Sequence, residues 1–245
     1  MRPRILGVIP ARFASSRYPG KALATIANKS MLQHVYERAC MARYLSKVII
    51  ATDDGRIYDA ALEFRATVRM TRPDHLSGTD RVAEVASAEE ADLIVNIQGD
   101  EPLIDPDAID ALVLAMLDNP GVPMATLKKR IHDPIEITNP NVVKVVTDLA
   151  GNAIYFSRCP IPLVRGVSGV HFKHIGLYAY QRNFLLGYSD LPVGPLEQAE
   201  CLEQLRALEN GHRILVAETE YESLGVDTPE DLVRVSSLFE ATVLR

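Results

Sequence analysis

Short apolar runs alternate with segments of helical periodicity through the first half of this 245-residue chain. Such alternation is typical of βα units, in which buried parallel strands are joined by helices that cover the sheet. The sequence therefore predicts an α/β fold with a mostly parallel sheet. The predicted strands of this half are residues 4–9, 47–52, 67–71 and 92–98.

Capping residues mark the helical segments. Ser30 and Gln33 have the spacing of a capping box, and Asp105 followed by proline is a typical helix start. Thr228 followed by proline forms a similar start near the end of the chain. The predicted helices are residues 30–44, 78–90, 105–119, 194–211 and 227–244, with one more through residues 57–64.

The pattern changes after residue 119. Strand-like runs follow one another with few helices between them, and the turn-like "DLAGNA" separates two of these runs. This predicts an antiparallel sub-domain within a single domain of residues 1–245. The runs are residues 124–131, 141–148, 153–158 and 171–182, with a last strand at 212–219. The predicted division is a core of residues 1–130 and 212–245 and a sub-domain of residues 131–211.

The composition limits the classes of partner. The formal net charge is -6, so non-specific binding to nucleic acid, which depends on an excess of Lys and Arg, is not expected. Cys40, Cys159 and Cys201 are odd in number and lack a CxxC spacing, which suggests a reducing compartment and no disulfide framework. The N-terminal apolar run is too short for a signal peptide, and no apolar stretch has the length of a membrane span. We expect a soluble, cytoplasmic protein without membrane insertion.

Three cations, Arg12, Arg17 and Lys21, lie in the loop after the first strand, "IPARFASSRYPGK". Ligands of parallel α/β sheets bind at the carboxyl ends of strands. Neither a GxGxxG fingerprint nor a Walker loop is present, so a nicotinamide enzyme or a P-loop ATPase is not expected. The loop either holds phosphate with side-chain cations or is a solvated surface loop with scattered charges.

Two carboxylates are candidate metal ligands. Asp100 follows the strand at residues 92–98, a position where Mg²⁺ can be held by one or two carboxylates and substrate phosphates. The alternative, a turn residue before the next proline, is the interpretation that we favour for Glu101. Asp227 is either a second ligand of the same ion or support for the helix that Thr228 caps.

Two further strand-end segments carry candidate nucleotide contacts. Arg72, Ser77 and Thr79 could bind a nucleotide, although Thr79 could instead cap the next helix. Gln98 could reach a base or ribose, and Gly99 permits close backbone approach.

Taken together, these stretches resemble the CMP-Kdo synthetases, the 3-deoxy-manno-octulosonate cytidylyltransferases. The motifs are "IPARFASSRYPGKAL", "MTRPDHLSGTDR", "VNIQGDEPLI", "NPNVVKVV", "IYFSR", "KHIGLYAYQR", "PLEQAECLEQLRALENG" and "GVDTPEDL". The resemblance runs over nearly the whole chain. It implies a nucleotide-diphospho-sugar transferase-like, Rossmann-like fold with a small antiparallel dimerisation sub-domain, and a homodimer. It also implies that CTP and Kdo are converted to CMP-Kdo and diphosphate with Mg²⁺, for lipopolysaccharide biosynthesis.

The resemblance also implies residue roles. Lys21, Arg12, Asp100 and Asp227 would be catalytic, with Mg²⁺ held by the two aspartates. The implied nucleotide-binding residues are Ala11, Arg12, Arg17, Lys21, Thr71, Arg72, Ser77, Gln98 and Gly99. The implied sugar-binding residues are Arg158, His174, Tyr178, Glu203 and Gln204.

The sugar-binding residues have simpler alternative interpretations. Without the resemblance, Arg158 would be a surface arginine on an edge strand, and His174 a hydrogen-bonded structural residue. With it, Arg158 would meet the sugar carboxylate, and His174 would donate a hydrogen bond to sugar hydroxyls or carboxylate. Tyr178, four residues on, shares the strand face of His174. Glu203 and Gln204 are placed on the helix at residues 194–211.

Three other functions compete with this one. A related branch of the family activates 8-amino-Kdo or another sugar acid. A glycosyltransferase could use "TDD", residues 52–54, as its metal motif, although we interpret Asp53 or Asp54 as a helix cap. A sugar-nucleotide sensor would bind CTP or a CMP-sugar without turnover, but would not need the full phosphate and metal set.

Overall fold

Residues 3–14, 18–166 and 169–243 are described by the structure, a computed structural model. Two units can be distinguished: the first is Met1–Asp110 with Ser223–Arg245, and the second is Ala111–Glu222. The predicted functional core and sub-domain have different limits, and that functional division stays a prediction.

The first unit is built on parallel strands in the order β6-β1-β4-β5. β1 and β6 consist almost entirely of buried residues, as their apolar sequences require. The four strands predicted for this half are confirmed. They are β1 (Ile5–Ala11), β4 (Lys47–Thr52), β5 (Val68–Met70) and β6 (Leu93–Asn96), and a small hairpin adds β2 (Thr25–Ile26) and β3 (Lys29–Ser30).

Helices follow the strands as the sequence predicts. α4 (Pro106–Asp118) begins in the first unit, and its residues from Ala111 onward belong to the second unit. Asp105 accepts a hydrogen bond from the Asp107 N–H at 3.0 Å, which confirms the expected cap of α4. The helices are α1 (Met31–Ala39), α2 (Gly55–Glu63), α3 (Gly78–Ser87), α4 (Pro106–Asp118) and α9 (Pro229–Val243).

Two predicted caps differ in detail. Ser30 accepts from the Gln33 N–H at 3.2 Å, but the Gln33 amide donates to Glu37 at 2.8 Å, because that carboxylate lies one helical turn further on. The expected capping box of α1 is therefore only half formed. α3 is capped by Ser77 rather than Thr79: Ser77 has extended backbone and forms a complete capping box with Asp80.

The second unit contains the predicted antiparallel excursion. Its strands have the order β11-β7-β10-β8-β9, and only β11 and β7 are parallel. β8 and β9 form the hairpin expected around "DLAGNA". The strands are β7 (Met124–Arg130), β8 (Lys144–Thr147), β9 (Ala153–Ser157), β10 (Phe172–Gln181) and β11 (Ile214–Glu218), and the helices are α5 (Pro134–Thr138), α6 (Arg182–Leu186), α7 (Pro195–Glu200) and α8 (Leu205–Glu209).

The prediction of one continuous helix at residues 194–211 is wrong. The chain leaves the helical conformation at Cys201, which has a left-handed φ of 52° and separates α7 from α8. Tertiary contacts explain the break, because Glu200 is held by groups of β9 and Leu202 is buried. Glu203 and Gln204 therefore lie in the connection before α8 and not on a long helix.

Two expectations about the whole chain can be compared with the structure. The three cysteines are free and exposed, in agreement with the absence of a disulfide framework. Within the described residues, no helix has both the length and the apolar character that crossing a membrane requires.

Candidate active site

A cavity of about 490 Å³ opens in the first unit where the chain leaves β1 and β6. Its volume is typical of small-molecule sites. Strand-end loops, the start of α3 and Asp227, in the segment before α9, contribute to it, at the edge of a parallel sheet where ligands are expected. It is lined by Pro10, Ala11, Arg12, Ala14, Lys21, Ala22, Met31, His75, Ser77, Gly78, Arg81, Gln98, Gly99, Asp100 and Asp227.

The centre of this cavity is an ion cluster around Lys21. Its Nζ donates to Asp100 Oδ2 at 2.6 Å, to Asp227 Oδ1 at 2.9 Å and to the Val226 carbonyl at 3.1 Å. The Lys21 side chain is only 16% exposed, whereas those of Asp100 and Asp227 are 31% and 41% exposed. Three segments far apart in sequence thus converge, as the sequence analysis expected.

The ammonium of Lys21 keeps its charge through the neutral pH range. Burial acts to lower the pKa of Lys21, but Asp100 and then Asp227 outweigh burial and hold the pKa above its ordinary value. Because folding raises this pKa, the cluster stabilises the fold below the ordinary lysine pKa. That contribution is lost only as pH rises through the folded-state value.

The local backbone places each member of the cluster. Gly20 adopts a left-handed φ of 73°, and the chain then enters the 3-10 turn that carries Lys21. Val226 N–H donates to the Asp100 carbonyl at 2.9 Å, which brings the segment before α9 against the loop after β6.

Asp227 was expected to be either a metal ligand or support for the start of α9, and the contacts of its carboxylate bear on this choice. Thr228 and Asp231 cap α9 themselves, with Asp231 N–H donating to Thr228 Oγ1 at 3.3 Å and Thr228 N–H donating to Asp231 Oδ2 at 3.1 Å. The carboxylate of Asp227 is directed to Lys21 instead. Thr228 and Asp231 therefore form the cap of α9, and the role of Asp227 as a metal ligand stays a prediction.

Most of the predicted nucleotide-binding residues meet in the cavity. Among the described residues, the exposed Arg12 guanidinium has no ion-pair partner, so its charge is available to a ligand. The residues of the predicted set that line the cavity are Ala11, Arg12, Lys21, Ser77, Gln98 and Gly99.

Three members of that set are not among the lining residues. Thr71 is buried and its hydroxyl accepts from Arg81. Arg72 is exposed, with its Nε 3.4 Å from Asp74 Oδ1. Arg17 lies outside the described residues. Their nucleotide contacts stay predictions.

Gly99 shows why a side chain is excluded at this loop. A Cβ at this position would lie 2.9 Å from the Pro10 carbonyl oxygen. The close backbone approach expected at Gly99 is therefore to the end of β1, and it fixes Gln98 and Asp100 beside the cationic loop.

Two ionisable side chains that line the cavity were not predicted from the sequence, those of His75 and Arg81. His75 forms a hydrogen bond with Glu84, and Arg81 is bound by Thr71 and by Asp53 Oδ2, the latter at 2.8 Å. Both residues lie in "TRPDHLSGTDR", and their place in this strand-end segment is the only sequence feature that could have indicated a contact with the cavity. Asp53 serves as the partner of Arg81, while Asp54 caps α2.

The predicted sugar-binding residues all lie in the second unit. Arg158, just after β9, donates through Nε to the Glu200 carbonyl at 2.9 Å and through Nη1 to the Pro140 carbonyl at 3.0 Å. No described carboxylate forms an ion pair with its guanidinium. Its charge is therefore available for an anionic ligand.

His174 and Tyr178 share one face of β10. The pairing of β10 with β7 is irregular between Ile175 and Tyr178, where β10 contains two residues more than β7. Because the number of extra residues is even, the side chains still alternate between the two faces of the sheet. The two rings lie 5.4 Å apart, and Phe156 meets His174 edge-on at 5.0 Å. This confirms the predicted shared face.

The hydrogen bonds fix the tautomer of His174. Thr126 Oγ1 lies 2.9 Å from His174 Nε2, and 3.0 Å and 2.9 Å from the carbonyls of Ile175 and Leu177. The single hydroxyl proton is needed for those carbonyls, so Nε2–H donates to Thr126 and Nδ1 remains an acceptor. The expected donor role of His174 toward a sugar does not fit this tautomer.

Protonation does not change that assignment near neutral pH. Burial lowers the pKa of His174 to about 3, so the ring is neutral. Burial, with Tyr188 and Glu203 nearby, raises the pKa of Tyr178 well above its ordinary value, so it remains a phenol.

The connection before α8 holds the remaining pair. The Glu203 carbonyl accepts from the Tyr188 hydroxyl at 2.7 Å. Gln204 is buried, and its Nε2 has no hydrogen-bond partner among the described residues. An unpaired buried donor is costly, which is consistent with a ligand contact at this position.

Comparisons with known proteins show the family of the chain. The family model described as cytidylyltransferase matches residues 6–214. The 3-deoxy-manno-octulosonate cytidylyltransferase of Solibacter usitatus is 72% identical over 247 residues, which cover 100% of this chain and 98% of that protein. The enzyme of the same name from Geobacter sulfurreducens is 55% identical over 94% of this chain and 97% of its own.

Solved structures give the same result. A CMP:2-keto-3-deoxy-manno-octonic acid synthetase complexed with CTP superposes with a TM-score of 0.94 at 45% identity, covering 98% of this chain and 99% of its own. The 4-diphosphocytidyl-2C-methyl-D-erythritol synthase of Anaerococcus prevotii, 13% identical, covers 98% of this chain and 100% of its own with a TM-score of 0.66, and therefore shows the fold alone.

Proposed function

The chain belongs to the cytidylyltransferase family, and from this premise we propose that it activates 3-deoxy-manno-octulosonate (Kdo) with CTP. The anomeric hydroxyl oxygen of Kdo bonds to the α-phosphorus of CTP and releases its proton. The bond from the α-phosphorus to the bridging oxygen breaks, and CMP-Kdo and diphosphate result. The product would supply lipopolysaccharide biosynthesis.

One observation carries the proposal. Lys21, Asp100 and Asp227 form a single cluster in a cavity at the carboxyl ends of parallel strands. Nucleotidyl transfer requires mainly positioning and charge neutralisation from a protein. Lys21 supplies one cation, the two carboxylates can hold a metal cation beside it, and relatives that share nearly the whole chain are named for this reaction.

Lys21 and Arg12 act on the phosphates in this proposal. Arg12 is exposed in the cavity without an ion-pair partner among the described residues, and its guanidinium can bind two phosphate oxygens at once. Lys21 offers a compact charge that stabilises negative charge developing at the α-phosphate.

Asp100 and Asp227 are suited to hold Mg²⁺. Their carboxylates already accommodate one cation, the ammonium of Lys21, and two carboxylates with substrate phosphates are a usual ligand set for this ion. Mg²⁺, when bound, would neutralise charge on the triphosphate and the leaving diphosphate.

The second unit supplies the proposed contacts to Kdo. The Arg158 guanidinium binds the sugar carboxylate, and His174 Nδ1 accepts a hydrogen bond from a sugar hydroxyl. Tyr178, Glu203 and Gln204 complete the set. A homodimer and a cytoplasmic location belong to the same proposal.

A diphosphate-release assay tests the function. We expect release from CTP with Kdo and Mg²⁺, none when Mg²⁺ is removed, and a strong preference for CTP over ATP. Release with 8-amino-Kdo or N-acetylneuraminate but not with Kdo would overturn the substrate assignment. A glycosyltransferase would consume a sugar nucleotide without releasing diphosphate, and a sensor would bind CTP without turnover.

The low pKa of His174 leads to a prediction about pH dependence. Because the His174 pKa is about 3, the ring stays neutral, and its contribution to Kdo binding should not change between about pH 5 and pH 8. His174→Asn should raise the KM for Kdo by about tenfold, and the ratio of variant to wild-type KM should be constant over this range. A ratio that falls toward one as pH rises through about 6.5, the ordinary pKa, would show an imidazolium bound to the sugar carboxylate instead.

A further inference from the structure

We propose that Lys144 is the positioning residue for Arg158. It fixes the main chain of Arg158 and also the loop that anchors its guanidinium. This inference rests on the proposed function, since it takes Arg158 as the partner of the sugar carboxylate.

Lys144 is an unusual buried cation. It is fully buried, and its Nζ donates to the carbonyls of Asn139 at 2.9 Å, Val142 at 2.6 Å and Arg158 at 2.5 Å. All three ammonium donors are thus used by main-chain oxygens, and no described carboxylate pairs with it. The side chain ties the loop at residues 139–142 to the end of β9.

The same loop holds the side chain of Arg158. Arg158 Nη1 donates to the Pro140 carbonyl at 3.0 Å, and Pro140 lies between two residues whose carbonyls bind Lys144. Lys144 therefore fixes Arg158 at its own carbonyl and, through the loop, at its guanidinium. A carboxylate bound by Arg158 would need both to be in place.

Glu200, the last residue of α7, also holds Arg158 in place. Its carboxylate accepts from the Arg158 N–H at 2.9 Å and from Ser157 Oγ at 2.5 Å, and its carbonyl accepts from Arg158 Nε at 2.9 Å. The carboxylate is occupied by these groups and by Tyr155. The Glu200 carboxylate forms an ion pair with neither the Lys144 ammonium nor the Arg158 guanidinium, and the positive charge of these two side chains favours an anionic ligand.

The contacts of Lys144 differ from those of the neighbouring buried lysine. Lys173 is also buried, but it pairs with the carboxylates of Glu136 at 2.7 Å and Glu222 at 2.5 Å. Lys173 lies directly opposite Lys144 across the β8–β10 pair, but its ammonium is bound by these carboxylates and not by Arg158 or the loop at residues 139–142. It provides a matched control: a buried lysine of the same unit whose removal should affect stability but not Kdo binding.

A double-mutant cycle tests the proposal. Lys144→Met should raise the KM for Kdo about tenfold or more, with the KM for CTP unchanged, because a charge-assisted contact to the carboxylate is misplaced. Arg158→Met should raise it at least as much. If Lys144 acts through Arg158, the double variant should match Arg158→Met alone. Lys173→Met should lower Tm and leave the KM for Kdo within about twofold of wild type.

The negative results of the double-mutant cycle can be told apart. An unchanged KM for Kdo in Arg158→Met would overturn the sugar assignment of Arg158. A raised KM in Arg158→Met, with no change in Lys144→Met or with effects that multiply in the double variant, would overturn the positioning role alone. Should Lys144→Met not fold, Lys144→Gln offers only two N–H donors for the three carbonyls, so it should still raise the KM for Kdo and add nothing to the effect of Arg158→Met; an unchanged KM or effects that multiply would overturn the positioning role.

Discussion

Replacing Lys21 with methionine is expected to lower kcat for CMP-Kdo formation by about two to three orders of magnitude. The change keeps the length of the side chain but removes the only charge that contacts both Asp100 and Asp227 within the described residues. The loss should appear in kcat more than in the KM for Kdo, because the charge acts on the reacting phosphate. Steady-state diphosphate release measures both quantities.

Lys21 also has a measurable effect before any substrate is bound. Its ammonium lies between the two carboxylates, so it competes with a divalent cation for them. Lys21→Met should therefore bind Mn²⁺ more tightly than wild type when CTP is absent, as measured by calorimetry. Lys47→Met is the matched control: Lys47 begins β4 and pairs with Glu89 at 3.0 Å. A turnover in Lys21→Met equal to that of the control would remove Lys21 from the mechanism.

Asp100→Asn is expected to have an effect of similar size. The substitution keeps the shape of the side chain and removes the charge at the carboxyl end of β6, so Mg²⁺ would lose one of its two proposed carboxylate ligands. We expect kcat to fall by about a hundredfold or more. The Mg²⁺ concentration for half-maximal turnover should also rise, and titrating Mg²⁺ in the assay measures this shift.

Asp107→Asn is the control for this prediction. Asp107 is in the first turn of α4, its side chain is 82% exposed, and its ion pair with Arg43 is 3.3 Å long, so its charge should matter little. Asp227→Asn should follow Asp100→Asn if both residues hold the same ion. Normal Mg²⁺ dependence in either variant would contradict the proposed ligand pair.

The sequence was informative where a local pattern dictates structure. Buried parallel strands require apolar runs, so β1, β4 and β6 could be located from the chain alone. The convergence of Lys21 with Asp100 followed from a topological rule, because both lie in segments that follow strands of one parallel sheet. Asp227 was harder, because its position depends on the bond between Val226 and the Asp100 carbonyl.

Tertiary contacts explain what the sequence did not reveal. The segment of α7 and α8 keeps helical periodicity and has neither glycine nor proline where it breaks, yet Glu200 and Leu202 make contacts that a continuous helix would not allow. The pairs of His75 with Glu84 and of Arg81 with Asp53 join residues on different elements. The tautomer of His174 depends on Thr126, 48 residues away. Such partners become visible only once the chain is folded.

The most direct measurement of the central claim is an anomalous difference map from crystals grown with Mn²⁺ and CTP. A peak at a ligand distance of about 2 Å from both Asp100 and Asp227, with the triphosphate beside Lys21 and Arg12, is the predicted result. A peak elsewhere, with the ammonium of Lys21 still between the two carboxylates and the triphosphate outside this cavity, would contradict the account.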